Sequence, residues 1–238
     1  MYYITILMIK KINQISEQAF LLDFGSEISK EINQSVINNF YYICNQIQKD
    51  NFLDLKNCTP SYNKILLQFN PAKKNKNEIF NFINTIDITK IKSRISHEEI
   101  EIPICYDEEF ALDIHSVSKK TNVDENIIIK SHLSTNFFVY MIGFMPGLPF
   151  MGDLKSNLSV PRLVTPRLRV PSRSVGIVEK LCVIYPNESP GGWNIIGRTP
   201  IRLFFKDRKN PSLLNPGSNV KFRTISKKEF IELEKKYE

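Results

Sequence analysis

Glycine and proline are scarce in the first 141 residues of this 238-residue chain, which hold one glycine and three prolines, against eight and ten in the remainder. Long regular elements are therefore expected first, and short strands joined by tight turns afterwards. Cysteine is limited to Cys44, Cys58, Cys105 and Cys182, with no CxxC pair, which reads as reduced, mostly core thiols of a cytosolic protein. Only three histidines occur (His97, His115, His132), isolated from one another and without an HExxH, so no metal site is expected. The apolar stretch Ile4–Ile9 is far short of a membrane span, and no small-residue cleavage site follows it. The cytoplasm is the expected compartment. GxxxxGK[ST] and GxSxG are both missing, which argues against a self-contained P-loop ATPase and against a serine hydrolase of that type.

The chain carries a formal charge of +7, but 23 of its 32 basic residues are lysines that accompany 22 Asn and 32 Ile. Such a profile reflects compositional bias more than a nucleic-acid footprint, which would need interleaved exposed aromatics or a docking motif. At 42% hydrophobic and 24% charged the composition is that of an ordinary globular protein, able to bury its core without disulfides or metal.

Periodicity divides the chain in two. Ala19–Phe24 reads as a strand ended by Gly25. Ser29 can cap a helix carrying Ile32, Val36, Phe40, Cys44 and Ile47 at helical spacing. Strands are expected at Phe52–Cys58 and Ile65–Phe69, a helix at Asn77–Ile88, and a strand with Ile100, Ile102 and Ile104 on one face. That order is βαββαβ, the split-βαβ or ferredoxin-like pattern of an α+β domain. Helices are then expected at Phe110–Lys120 and Asp124–His132, followed by a strand at Phe137–Ile142. Short strands follow at Val175–Val178, Leu181–Tyr185, Trp193–Ile196, Ile201–Phe205 and Val220–Arg223, the pattern of a closed or nearly closed barrel. The two domains are assigned to residues 1–92 and 93–238, with the boundary in the polar run around 88–98.

Three segments could carry chemistry. From Leu154 to Val178 there is no acidic residue, yet Arg162, Arg167, Arg169 and Arg173 fall within twelve positions among prolines. Proline restrains φ, so these forks would be presented on a stiff loop to a carboxylate or phosphate. The simpler alternative is a solvated basic loop. In Tyr185–Thr199, Gly191–Gly192 could let a ligand approach the main chain or form an anion-binding nest flanked by Ser189 and Arg198. Trp193, the only tryptophan, either walls a pocket or fills the core. Gly143–Leu154, containing Pro146, is an apolar Gly/Pro loop suited to a pocket wall or an interface. Upstream, His132 ends a helix; a lone histidine of this kind is usually a satisfied structural residue, although the dipole at a helix C-terminus could hold it protonated.

The motifs GFMPGLPFMGDL, VPRLVTPRLRVPSRSVGIV and IYPNESPGGWNIIGRTPIRLF, with LLDFGSEISKEIN, TPSYNKILLQFNP and IEIPICYDEEF before them, resemble the family of the 5-oxoprolinase B subunit. This family is also known as allophanate hydrolase subunit 1, and it includes an inhibitor of a sporulation histidine kinase. The resemblance runs from about residue 15 to 225. It implies an N-terminal α/β domain and a C-terminal cyclophilin-like barrel of carboxyltransferase type. It also implies two partners in the enzyme, a C subunit whose similar barrel pairs with this one and an A subunit that completes the complex. It further implies ATP as cosubstrate, 5-oxoproline as the small anionic substrate and L-glutamate as product. Neither nucleic acid nor a membrane is an expected partner. An unactivated lactam is a poor electrophile, and its charged intermediates call for arginines and backbone donors placed beforehand. Arg167, Arg169 and Arg198, with Ser189 and His132, are the expected catalytic set. Gly191, Gly192, Trp193, Pro146 and Arg162 are the expected substrate contacts.

The sequence also departs from the family pattern VPAGSVGIAGGQTGIYP, reading VPSRSVGIVEKLCVIYP. Arg173 replaces a glycine, Glu179 and Lys180 replace a Gly pair, and Leu181, Cys182 and Val183 replace Gln, Thr and Gly. If those positions touch substrate, specificity or catalysis changes; if they shape a hairpin, the change is structural. A histidine-kinase inhibitor and an allophanate hydrolase component are the alternative readings.

Overall fold

The computed structural model describes residues 9–50, 55–72, 75–86 and 99–237, with side chains of 46–50 left aside. The chain forms two compact units, 1–95 and 96–238. The expected boundary at 92/93, the C-terminal end of the helix expected to reach Ile88, and His97 lie outside the described residues.

In the first unit, β1 (Lys11–Ser16) and β2 (Ala19–Asp23) form a hairpin, followed by α1 (Lys30–Asp50), β3 (Leu55–Pro60), β4 (Lys64–Phe69) and α2 (Lys76–Asn84). The sheet order is β1-β2-β4-β3, antiparallel throughout. Period-2 residues Phe20, Leu22 and Phe24 meet Ile65, Leu67 and Phe69, and the helices add Ile32, Val36, Ile43, Ile79 and Ile83 to one core. Ser29 caps α1 as expected, its hydroxyl accepting from the Ile32 N–H at 3.2 Å. The βαββαβ expectation is corrected here. The fourth strand is the polar Lys11–Ser16, while the strand at Glu99–Ile104 joins the other unit's sheet. The alternation of Ile100, Ile102 and Ile104 marks a strand but carries no information about its partner.

The second unit contains β5 (Glu99–Ile104), α3 (Ile114–Thr121), α4 (Glu125–Leu133), β6 (Phe137–Ile142) and β7 (Pro149–Gly152). Then come β8 (Arg167–Val170), β9 (Ser174–Val178), β10 (Leu181–Ile184), β11 (Ser189–Gly191), β12 (Asn194–Arg198), β13 (Asn219–Thr224) and α5 (Lys227–Tyr237). Seven strands order as β12-β9-β10-β7-β6-β13-β5, with β13 and β5 parallel. The two edge strands meet where Cys105 and Arg198 exchange backbone hydrogen bonds of 2.9 and 3.0 Å, so the sheet is a nearly closed barrel. β8 and β11 form a separate two-stranded ribbon.

β9 and β10 are buried on both faces, which explains their unbroken apolar runs. Cys182 and Ile184 point into the barrel core with Val175 and Ile177. Leu181, Val183 and Tyr185 point the other way, into a second cluster with Leu148, Phe150, Val170 and Trp193. Ile201–Phe205 does not form the expected strand; it keeps only an isolated pairing of Phe204 with Ser212. β7 and β8 form within segments that the sequence reads as loops, since prolines and glycines interrupt their patterns, and β11 is a short strand that the sequence reading does not include.

Candidate functional site

The outer faces of β7 and β10, the strand β11 and the segments leading into β7, β8 and β12 enclose a cavity of about 300 Å³. Its walls come from Phe144, Leu148, Phe150, Val183, Tyr185 and Trp193, and its mouth from Arg162, Pro166 and the Pro190–Gly192 turn. The volume lies at the small end of ligand pockets, and the lining is mostly apolar. Trp193 both fills the core and walls the cavity: it is 6% exposed and meets Phe150 edge-on, with ring centroids 6.0 Å apart. The Arg162 guanidinium carbon lies 5.5 Å from the indole centroid, a cation–π contact. Phe144 is 73% exposed and has φ of 68°, an uncommon conformation for a bulky residue and one that concentrates at functional sites.

Four of the expected substrate contacts, Arg162, Gly191, Gly192 and Trp193, therefore converge. Pro146 is exposed and is not among the lining residues. Gly191 and Gly192 do not build an anion nest, because neither has a positive φ. Gly191 pairs with Arg167 in the ribbon, and the Gly192 carbonyl accepts from the Leu163 N–H at 2.8 Å. What Gly191 provides is room, since a Cβ there would overlap the Tyr185 hydroxyl. Burial pushes the Tyr185 phenol up to about 12, while the Arg162 charge and the Trp193 amide oppose that rise. The phenol stays protonated at neutral pH. Among the described lining residues only Arg162 and Tyr185 are ionisable, so this wall offers no general base of its own.

The expected catalytic set is dispersed. Arg167 makes a bidentate pair with Asp113 at 2.6 and 2.8 Å, and Asp113 also accepts from the Ile195 N–H at 2.7 Å. That arrangement is a tie between β8, β12 and the start of α3. Arg169 is exposed, with a long 3.7 Å pair to Glu188. Arg198 is not among the lining residues and sits at the barrel seam, paired with Cys105. Its Nε donates to the Ser172 carbonyl at 2.9 Å, its guanidinium packs over Phe110 and Phe230, and it shares Glu234 with Arg173. The Ser189 hydroxyl donates to the Pro190 carbonyl at 3.1 Å.

His132 is wholly buried beside Phe137 and Phe222, within 2.7 Å of the Tyr106 hydroxyl and 3.5 Å of the Cys182 thiol. Burial lowers its pKa to about 3, so of the two readings His132 is the satisfied structural residue and not a cation held by the dipole. Phe144, Leu148 and Phe150 come from the Gly143–Leu154 segment expected as a pocket wall or an interface, whereas Val183 and Tyr185 were missed as lining residues. The signal was available in the quoted motifs, since strand alternation from Trp193 across to β10 selects Val183 and Tyr185.

The changed stretch divides along the same alternation. Val183 lines the cavity and Leu181 packs in the cluster beneath it, whereas Cys182 faces the barrel core. Arg173 and Glu179, at family glycine positions, have φ of 67° and 49°.

Residues 10–214 match the model of the carboxyltransferase domain, subdomains C and D. The chain belongs to the carboxyltransferase-domain family. It is 30% identical to the 5-oxoprolinase B subunit of Bacillus subtilis over 231 residues, covering 92% of this chain and 95% of that protein. The crystal structure of TTHA0988 superposes with a TM-score of 0.74 at 26% identity, covering 87% of this chain and 40% of that one. This chain thus spans about two-fifths of that longer protein. The Kluyveromyces lactis urea amidolyase superposes with a TM-score of 0.72 at 17% identity, over 95% of this chain and 15% of that one, which shows a shared fold. Among the described residues, no helix is long and apolar enough to cross a membrane, and no group of three or more His, Cys, Asp or Glu is placed to hold a metal.

Proposed function

We propose that this chain is the B subunit of a cytoplasmic, ATP-dependent 5-oxoprolinase, opening 5-oxoproline to L-glutamate together with its A and C subunits. In this reading the second unit is a cyclophilin-like domain of carboxyltransferase type that pairs with a similar barrel. The observation that carries the proposal is the cavity: a small apolar chamber with one cation at its mouth and no general base among its lining residues, in a chain similar along nearly its whole length to a 5-oxoprolinase B subunit. A compact lactam carboxylate matches the chamber in size and charge. A nucleotide with three phosphates does not, so the ATP site is assigned to the assembled complex. The missing base makes the chain non-autonomous, because water attack on the lactam needs proton transfer from elsewhere.

The test is reconstitution of the purified chain with its cognate A and C subunits, following glutamate release and ATP hydrolysis with 5-oxoproline, with allophanate as the comparison substrate. Glutamate from the full mixture alone supports the reading, and none from an intact complex refutes it. A second reading, a protein that docks on a histidine kinase without catalysis, is favoured by exposed Phe144, Val164 and Leu168, an apolar set flanking the cavity mouth and on the ribbon. Its test is inhibition of kinase autophosphorylation by the isolated chain.

A further inference from the structure

We infer that Arg162 anchors the carboxylate of a small planar ligand whose ring fills the cavity between Trp193, Phe150 and Val183. The inference deepens the 5-oxoprolinase reading and rests on it for the identity of the ring.

Of the clustered arginines, Arg167 is committed to Asp113 and Arg173 to Glu234, and Arg169 has Glu188 beside it. Among the described residues, Arg162 has no carboxylate partner; its contact is the Trp193 ring. The indole orients the guanidinium without consuming its charge. Its N–H donors remain available for a bidentate carboxylate, the geometry a planar fork serves best. Beneath it the walls are aromatic and aliphatic. Val183 and Leu148 bring only carbon to the chamber with their side chains, and the protonated Tyr185 phenol carries no charge. A second charge buried there would lose its hydration without a partner. The site therefore selects one carboxylate at the mouth and an uncharged ring inside. It rejects the open-chain dicarboxylate with an ammonium group that the proposed reaction makes, which favours product release.

Trp193 is the only tryptophan of the chain, so its emission reports the occupancy of this cavity. The experiment titrates the isolated chain with 5-oxoproline by Trp193 fluorescence and repeats the titration on the complete three-subunit complex with radiolabelled 5-oxoproline by equilibrium dialysis. Arg162→Met and Arg162→Lys variants and the competitors 2-pyrrolidinone and L-glutamate complete the set. Saturable binding is expected, weakened about 10- to 100-fold in Arg162→Met, partly restored in Arg162→Lys, and not displaced by either competitor at equal concentration. Unchanged affinity in Arg162→Met, or displacement by 2-pyrrolidinone as effective as by 5-oxoproline, overturns the anchor. No saturable binding to chain or complex overturns the site. The two failures separate cleanly. A complex that releases glutamate with unchanged KM in Arg162→Met keeps the 5-oxoprolinase reading and loses this site. One that releases none while Trp193 still titrates with 5-oxoproline keeps the site and loses the reading.

Discussion

Arg167 is the residue for which sequence pattern and geometry give opposite forecasts. Its motif resembles an anion clamp, whereas its side chain closes a bidentate pair on Asp113 that also receives the Ile195 amide. The Asp113 side chain is 6% exposed and that of Arg167 is 29% exposed. Removing one partner of a fully buried pair costs about 3–5 kcal/mol, because the other charge is stranded. The partial exposure of Arg167 admits water and brings the expected loss for Arg167→Met to about 2–3 kcal/mol. At about 2–4 °C per kcal/mol for a chain of this length, Tm falls by about 4–12 °C. The double variant Arg167→Met/Asp113→Asn removes the stranded charge while an amide oxygen still accepts from Ile195, and it recovers at least about 1 kcal/mol. Thermal and urea unfolding measure both. An Arg167→Met protein that melts within about 1 °C of the parent, while losing activity in the reconstituted complex, would refute the tie and restore the clamp.

Three further outcomes follow from the same structure. His132 has its folded pKa lowered from 6.5 to about 3, so the unfolded chain binds the extra proton in that window and stability falls as pH falls below 6.5. Urea unfolding at pH 7 and pH 5 should show a loss of about 2 kcal/mol that His132→Gln abolishes; equal losses in both proteins would contradict it. Glu179 is exposed and left-handed at φ 49°, so Glu179→Gly should raise stability by about 0.5–1 kcal/mol in chemical denaturation, and a decrease would show an unrecognised role for the carboxylate. Gly191→Ala should lower stability by about 1–3 kcal/mol because the added Cβ meets the Tyr185 hydroxyl, and Tyr185→Phe in the same chain should recover part of it. Additive effects of the two substitutions would argue against that contact.

Local chemistry was legible where a single element sufficed. The helix at Lys30–Asp50 with its Ser29 cap, the strands at β4, β6, β9, β10 and β13, and the barrel-like second half all follow from periodicity and punctuation. Partnership was not. Glu99–Ile104 looks alike whether it completes the first sheet or pairs in parallel with β13, and only the assembled barrel decides. β1 is polar and exposed along most of its length, so it lacks the alternation that marks a half-buried strand. The arginine-rich stretch showed the same limit at the site. Sequence gathers Arg162, Arg167, Arg169 and Arg173 into one run, but the carboxylates that occupy two of them, Asp113 and Glu234, lie 54 and 61 residues away. Convergence of Arg162, Gly191, Gly192 and Trp193 was legible because all four sit in the quoted motifs; which arginine kept a free charge was not.

The central claim, a B subunit that supplies a substrate cavity but no base, is tested most directly by glutamate release from 5-oxoproline and ATP. The assay compares the chain alone, its A and C partners without it, and the full mixture. The account predicts glutamate from the full mixture only, with Arg162→Met raising KM. Glutamate from the chain alone, or from the partners without it, would contradict the account.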